Sequence, residues 1–145
     1  MESAGIDRLQ IERACERLSI AFCYHADHGN FAKVGRLFSP KGTFDRFGQT
    51  LVGPDAIAAG MSKRPEGVVT RHALLNIHFT VVEKGMAAAV VSAATYFGFK
   101  TSQGDAAQFA PESPRVAEFD DRYRLVEGKW RIEQRVTTLV LVNSS

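Results

Sequence analysis

Thr70-Arg71-His72-Ala73-Leu74-Leu75-Asn76 is the stretch on which the reading of this chain turns. It lies early in a strand-like run over residues 69–83 and sets a histidine and an asparagine four positions apart. Strand side chains alternate between faces, so residues four apart look the same way. His72, Leu74 and Asn76 are therefore expected to face one space, with His78 continuing the row. Arg71, Ala73, Leu75, Ile77 and Phe79 are expected to face the other, unless a bulge shifts the register. A titratable ring beside an amide on one sheet face is what a polar spot in an apolar enclosure requires. The plainer reading is a buried histidine satisfied by a neighbour.

Downstream, residues 86–100, 115–126 and 129–142 read as further strands, turned at Glu83-Lys84-Gly85 and Glu127-Gly128. Residues 101–114, with Gly, Gln, Asp, Pro and Ser, read as a loop at the mouth of the enclosure. Upstream, Ile11, Ala14, Cys15, Leu18, Ala21, Phe22 and His25 recur at helical spacing, predicting a helix from Ile6 to about Asp27. Its stretch Ile20-Ala21-Phe22-Cys23-Tyr24 is apolar nearly all round and is expected to be buried on more than one side. Gly29 and Asn30 suit a left-handed cap. A second helix is predicted over 31–38, stopped by Ser39-Pro40. A strand pair follows at 43–47 and 49–52, and Gly53-Pro54 opens a third helix anchored by Ile57 and Met61. Helices first and antiparallel hairpins after them mean α+β. The expected form is one domain, its core running from about 6 to 142. A cone-shaped, curved, mixed or antiparallel sheet is closed by three N-terminal helices around a pocket.

Bulk composition narrows the function. At 145 residues the chain can bury a full core. The net charge of +2 comes from interleaved charges with no basic stripe, so no nucleic-acid partner is expected. The apolar run over 86–94 is too short to span a bilayer, and the start lacks the pattern of a signal peptide, so no membrane association is expected. Cys15 and Cys23, eight apart on one helix, are separated by about 12 Å, too far for a disulfide. Small core thiols of this kind fit a reducing compartment, and a cytoplasmic protein is expected. No CxxC, HExxH or carboxylate cluster is present, so neither metal nor cofactor is implied.

Several segments together resemble the SnoaL-like and scytalone dehydratase-like branch of the nuclear transport factor 2-like superfamily. They are Ala26-Asp27-His28-Gly29-Asn30-Phe31, Leu37-Phe38-Ser39-Pro40, Gly53-Pro54-Asp55-Ala56-Ile57, Thr70-Arg71-His72 with Asn76, Phe119-x-Asp121-x-Tyr123 and Gly128-Lys129-Trp130-Arg131-Ile132 with Arg135. The resemblance covers nearly the whole chain and implies the cone fold. Members that eliminate water or hydrogen chloride carry an aspartate at the first helix end paired with a histidine on the first long strand. Those positions match Asp27 and His72. Neutral imidazole is a competent base near pH 7, and a carboxylate on its other nitrogen fixes the tautomer. Two departures stand out. Where dehydratases and steroid isomerases of this fold place a helix tyrosine, this chain has Phe22, with Tyr24 nearby on another helix face. Where some dehydratases place a second acid or histidine, it has Tyr96. The steroid isomerase base is matched by Arg46, so that route is not expected.

The leading expectation is a cofactor-independent lyase or isomerase, dehydratase- or cyclase-like, working through His72 and Asp27. Its partner is a small hydrophobic cyclic, polyketide- or terpenoid-like molecule. Asn76 or Tyr96 holds a substrate oxygen, and Phe22, Tyr24, Leu74 and Met61 complete the pocket. One alternative is a non-catalytic ligand-binding or assembly module, like the small subunits of ring-hydroxylating dioxygenases. A second is an epoxide hydrolase, which needs an Asp-Arg-Asp set that the pocket-facing positions do not supply. Asp121 and Arg135 are expected to pair across the last hairpin, and Trp130 and Phe119 to sit in the core. Ala73, Leu75, Ile77, Phe79, Val81, Val91, Ala93 and Phe97 are expected on the outward sheet face. So much apolar surface predicts a two-fold homodimer packed sheet on sheet.

Overall fold

The computed structural model describes residues 2–102 and 104–144. Helix α1 (Glu2–Asp27) is followed by a short helix α2 (Phe31–Gly35), a hairpin of β1 (Phe38–Arg46) and β2 (Gln49–Val52), and helix α3 (Pro54–Met61). Then come β3 (Val68–Val82), β4 (Met86–Phe99), the two-residue β5 (Gln108–Phe109), β6 (Arg115–Val126) and β7 (Lys129–Leu141). Across the sheet the order is β2-β1-β7-β6-β4-β3, with β5 paired to β4. Every pairing is antiparallel except that of β1 with β7. This is a mixed α+β molecule, an open curved sheet of seven strands closed on its concave face by three helices. No helix among the described residues is long and apolar enough to cross a membrane.

Helix α1 ends on a Schellman motif. Gly29 takes φ 74°, the Asn30 N–H reaches the His25 carbonyl at 2.8 Å, and the Gly29 N–H reaches Ala26. The helix presents Cys15, Leu18, Phe22 and Ala26 to the sheet, all buried. Ile20 and Tyr24, expected to be buried too, are 43% and 56% exposed, because only one side of this helix meets the sheet. The second helix is shorter than the periodicity predicts. Phe38 and Ser39 belong instead to β1, where the Ile132 N–H donates to the Leu37 carbonyl (2.8 Å) and Ser39 Oγ to Glu133 (2.6 Å). Pro40, which lacks an N–H, falls where β1 loses register with β7.

Alternation along the strands sorts residues between two faces. Phe38 and Phe44 from β1, Ala87 and Ala89 from β4, Tyr123 from β6 and Ile132 from β7 meet Phe22 and Val34 in the main core. Alanines suit the middle of that face. Ala89 lies opposite Phe79 and Ala87 opposite Tyr123, and the two rings close over them with centroids 6.3 Å apart.

The bulge anticipated as an exception is present. Leu74 pairs with Ala93 and Asn76 with Ser92, so Leu75 is an extra residue in β3, and Thr80 is a second. Each insertion turns the residues after it to the opposite face. Ile77 and Phe79 therefore turn inward against the core, and Asn76 and His78 turn out and are exposed. On β4, Val91, Ala93 and Phe97 also belong to the inner face, Val91 and Ala93 buried. The expected outward row thus loses five of its apolar members.

Candidate active site

Between the helices and the inner face of the sheet, against the packed core, lies a cavity of about 460 Å³. Phe22 and Ala26 of α1, Met61 of α3, and Phe97, Ala117 and Phe119 of the sheet give it an apolar wall. His72 lies on that wall beside Thr70 and Thr95.

The last residue of α1 reaches His72 from behind. Asp27 Oδ1 accepts from His72 Nδ1 at 2.5 Å and from the Thr70 hydroxyl at 3.0 Å, while Oδ2 accepts the His72 backbone N–H at 2.9 Å. Arg64 steadies this corner by donating to the Ala26 carbonyl (3.1 Å) and Thr70 Oγ1 (3.0 Å). Burial of Asp27 works to raise its pKa. The hydrogen bonds from the His72 ring and backbone, the ring's charge and the Thr70 hydroxyl outweigh it and hold the carboxyl below its usual 3.8. Asp27 is thus an anion with three donors. With Nδ1–H given to it, His72 keeps Nε2 without a partner among the described residues.

A second polar group lies next to the cavity, in the core. Arg135 and Asp121, both wholly buried, form a two-pronged pair at 2.8 and 2.7 Å, as predicted. Arg135 Nη2 also donates to Ser19 (2.7 Å), Tyr123 donates to Asp121 (2.6 Å), and the guanidinium lies between the Phe22 and Phe119 rings. Asp121 holds Arg135 in its charged form against its burial, and burial drives the Tyr123 hydroxyl upward. Two buried polar atoms have no partner among the described residues, Arg135 Nη1 and the Thr137 hydroxyl, and Thr137 lines the cavity. Burial also pushes the Cys15 thiol up to about 12 and Cys23 up to about 11, so neither is a thiolate nucleophile near pH 7.

Phe22, Met61 and His72 are at the cavity, with Asp27 directly behind the histidine. Asn76 is not. The Leu75 bulge turns it outward, where its Oδ1 accepts the Ile77 N–H. Tyr96 pairs with Arg71 on the outer face and packs near Phe109, beside a shallow cleft of about 200 Å³. Tyr24 stacks on His28 in the open. Leu74 points inward but packs on Val91, Ala93 and Phe119 below the cavity. None of the described residues of the 101–114 segment, expected at the mouth, lines the cavity; through β5 it pairs with β4 and borders the outer cleft. Arg46, matched to the steroid isomerase base, is at the cavity, and unforeseen lining comes from Phe44, Phe47 and Gln49 on the β1–β2 hairpin and from Lys63, Arg115 and Thr137. Only the inward alternation of β1, had its register been known, would have marked the hairpin residues. No carboxylate lines the cavity among the described residues, which leaves an Asp-Arg-Asp water-activating set without its acids. No group of three or more His, Cys, Asp or Glu side chains among the described residues is placed to hold a metal.

Helices closing the concave face of a curved sheet over a pocket define the nuclear transport factor 2-like, cystatin-like class of cone proteins. Within that class the model of the SnoaL-like domain matches residues 7–136, and the chain belongs to that family. Its fold is similar to a scytalone dehydratase-like protein from Novosphingobium aromaticivorans, with TM-score 0.81 and 17% identity over 97% of this chain and 91% of that one. It is similar to a hexachlorocyclohexane dehydrochlorinase, LinA type 2, with TM-score 0.79 and 13% identity over 95% and 90%. It also resembles a nuclear transport factor 2-like protein with a cystatin-like fold from N. aromaticivorans, with TM-score 0.75 and 21% identity over 99% and 89%. At these identities the likeness is one of fold. No curated protein matches the chain.

Proposed function

We propose that this protein is a cofactor-independent lyase or isomerase in which His72 is the general base and Asp27 its positioning partner. The observation that carries the reading is the Asp27–His72 hydrogen bond on the wall of a largely apolar cavity. His72 Nε2 takes a proton from a substrate carbon. The C–H electron pair then forms a double bond as a neighbouring halide departs as the anion, or as a neighbouring hydroxyl departs as water with the proton that Nε2 returns to it; in an isomerisation the pair shifts along the substrate and Nε2 returns the proton to another carbon. Asp27 stabilises the imidazolium so formed. With Asn76 and Tyr96 on the outer face, the Thr95 and Thr137 hydroxyls are the groups suited to hold a substrate oxygen. The likeness in fold to a scytalone dehydratase-like protein and to a hexachlorocyclohexane dehydrochlorinase supports a small, mainly hydrophobic, cyclic substrate.

The test is turnover on a panel of hydroxylated and halogenated cyclic substrates and β,γ-unsaturated ketones. General base catalysis contributes about 10²–10⁴-fold, so His72→Ala should lose activity on that scale while keeping the wild-type circular dichroism spectrum. Asp27→Asn should lose less, because the imidazole stays. Full turnover by His72→Ala, or ligand binding with no turnover across the panel, moves the reading to a binding module. The same proposal takes residues 1–145 as one functional domain, acting as a homodimer through the outer sheet face. Its two buried free thiols fit the reducing cytoplasm.

A further inference from the structure

The charged side chains that line the cavity are of one sign, with the Asp27 carboxylate behind His72. Arg46, Lys63, Arg64 and Arg115 line it, and among the described residues no carboxylate does. Elsewhere four arginines have acidic partners, Arg8 with Glu12, Arg13 with Glu16, Arg124 with Glu133 and the buried Arg135 with Asp121, while the others form no ion pair among the described residues. None of the four at the cavity forms an ion pair among the described residues. Arg64 is spent on Ala26 and Thr70, and Arg115 lies over the Phe97 ring at 4.3 Å. Arg46, half-buried, has no hydrogen bond or ion pair among the described residues, and its burial, uncompensated, lowers its pKa. A cation withdrawn from water without a counter-ion is costly, and the cost disappears when a ligand supplies the anion.

The register sets a distance. His72 pairs with Thr95, and Thr95 pairs with Arg115, so the base and Arg115 share one row of backbone positions, two strands apart. At about 4.8 Å per strand their backbones are about 10 Å apart, a span one or two fused rings would fill. Arg46 stands beside Thr137 on the inner face of the β1–β7 pair.

We propose that the molecule taken into this cavity is an aromatic or other largely apolar carboxylate, its anionic group held by Arg46 and Arg115 and its ring body against Phe22, Phe97 and Phe119. This names a substrate class for the site and rests on the reading of His72 as base only for which end of the ligand reacts.

Calorimetric titration of benzoate, 1-naphthoate and 9-anthroate, each against its own neutral amide, tests it in binding alone. Wild-type protein should prefer at least one carboxylate over its amide by about tenfold, and 0.5 M salt should weaken that preference. Arg46→Gln and Arg115→Gln should each weaken the carboxylate by about three- to tenfold, leave the amide within about twofold, and together abolish the preference. Arg122→Gln, on the outer face, should change neither. Amides bound as well as carboxylates, a preference surviving in a double variant that keeps its circular dichroism spectrum, or no binding of any of the six overturns the proposal. His72→Ala separates the two readings, since it should lose turnover and keep the carboxylate preference. Wild-type protein that prefers carboxylates but turns nothing over ends the lyase reading and leaves this one standing.

Discussion

Asp27 occupies the last turn of α1, where the carbonyl end of the helix repels an anion. A carboxylate kept there against the local field is held by what it touches, the His72 ring and backbone and the Thr70 hydroxyl. Those contacts put its folded pKa below the ordinary 3.8. Linkage gives the sign. The stabilisation is fully present above about pH 4 and is lost as the pH falls through the lowered folded pKa. Asp27→Asn should therefore lower the melting temperature at pH 5, and the gap to wild type should close as the pH is taken toward 2. A gap that stays constant with pH removes the carboxylate from the account. Asp121→Asn should cost more, about 3–5 kcal/mol by urea unfolding, because it strands the fully buried Arg135. Replacing both members by apolar residues should cost far less. At this scale much was legible: Asp27, His72, Asp121 and Arg135 could be picked out from the chain, and each pair is in contact.

Elements were legible where their pattern ran long and uninterrupted. The four long strands, the first helix and the Gly53-Pro54 start of α3 carry periodicity or turn chemistry over many residues. The Leu75 bulge carries neither, since no glycine or proline marks it, and one unmarked residue sent Asn76 and His78 to the wrong side of the sheet. The cavity's cations were hidden for a related reason, as Arg46, Lys63 and Arg115 come from three separate segments that only the folded sheet assembles. Removing Leu75 takes out the extra residue and leaves Asn76 opposite Ser92 and Ile77 opposite Val91, so β3 should straighten with Ile77 and Phe79 still inward and the urea midpoint should stay near that of the wild type. A midpoint that collapses on that deletion contradicts the register. Helix placement is equally tight at Gly35, where an added Cβ would collide with the Pro54 carbonyl at the start of α3. Gly35→Ala should cost about 1–3 kcal/mol of stability, and Gly29→Ala should act by backbone strain alone.

For the whole molecule, the outer face sets the expected assembly. With Ile77, Phe79, Val91, Ala93 and Phe97 turned inward, it keeps Ala73, Leu75, Val90, Ala94 and Tyr96, crossed on β6 by the charged row Glu118, Asp120 and Arg122. A two-fold partner meeting this face should show as a dimer in light scattering at micromolar concentration. Leu75→Asp, at a position 57% exposed, should shift it toward monomer without unfolding it. Monomer alone in the wild type contradicts the sheet-on-sheet arrangement. The strand order has a consequence for how the protein is made. β7, the last strand in the chain, lies between β1 and β6 and so in the middle of the sheet. On the ribosome, helices and hairpins emerge first, yet β1 waits for its parallel neighbour and Ser19 for Arg135 until residues 129–141 clear the exit tunnel. A nascent chain halted before Lys129 lacks a central strand, not an edge. Such a chain should stay protease-sensitive while tethered, and become resistant only after a spacer carries its final strand into the open.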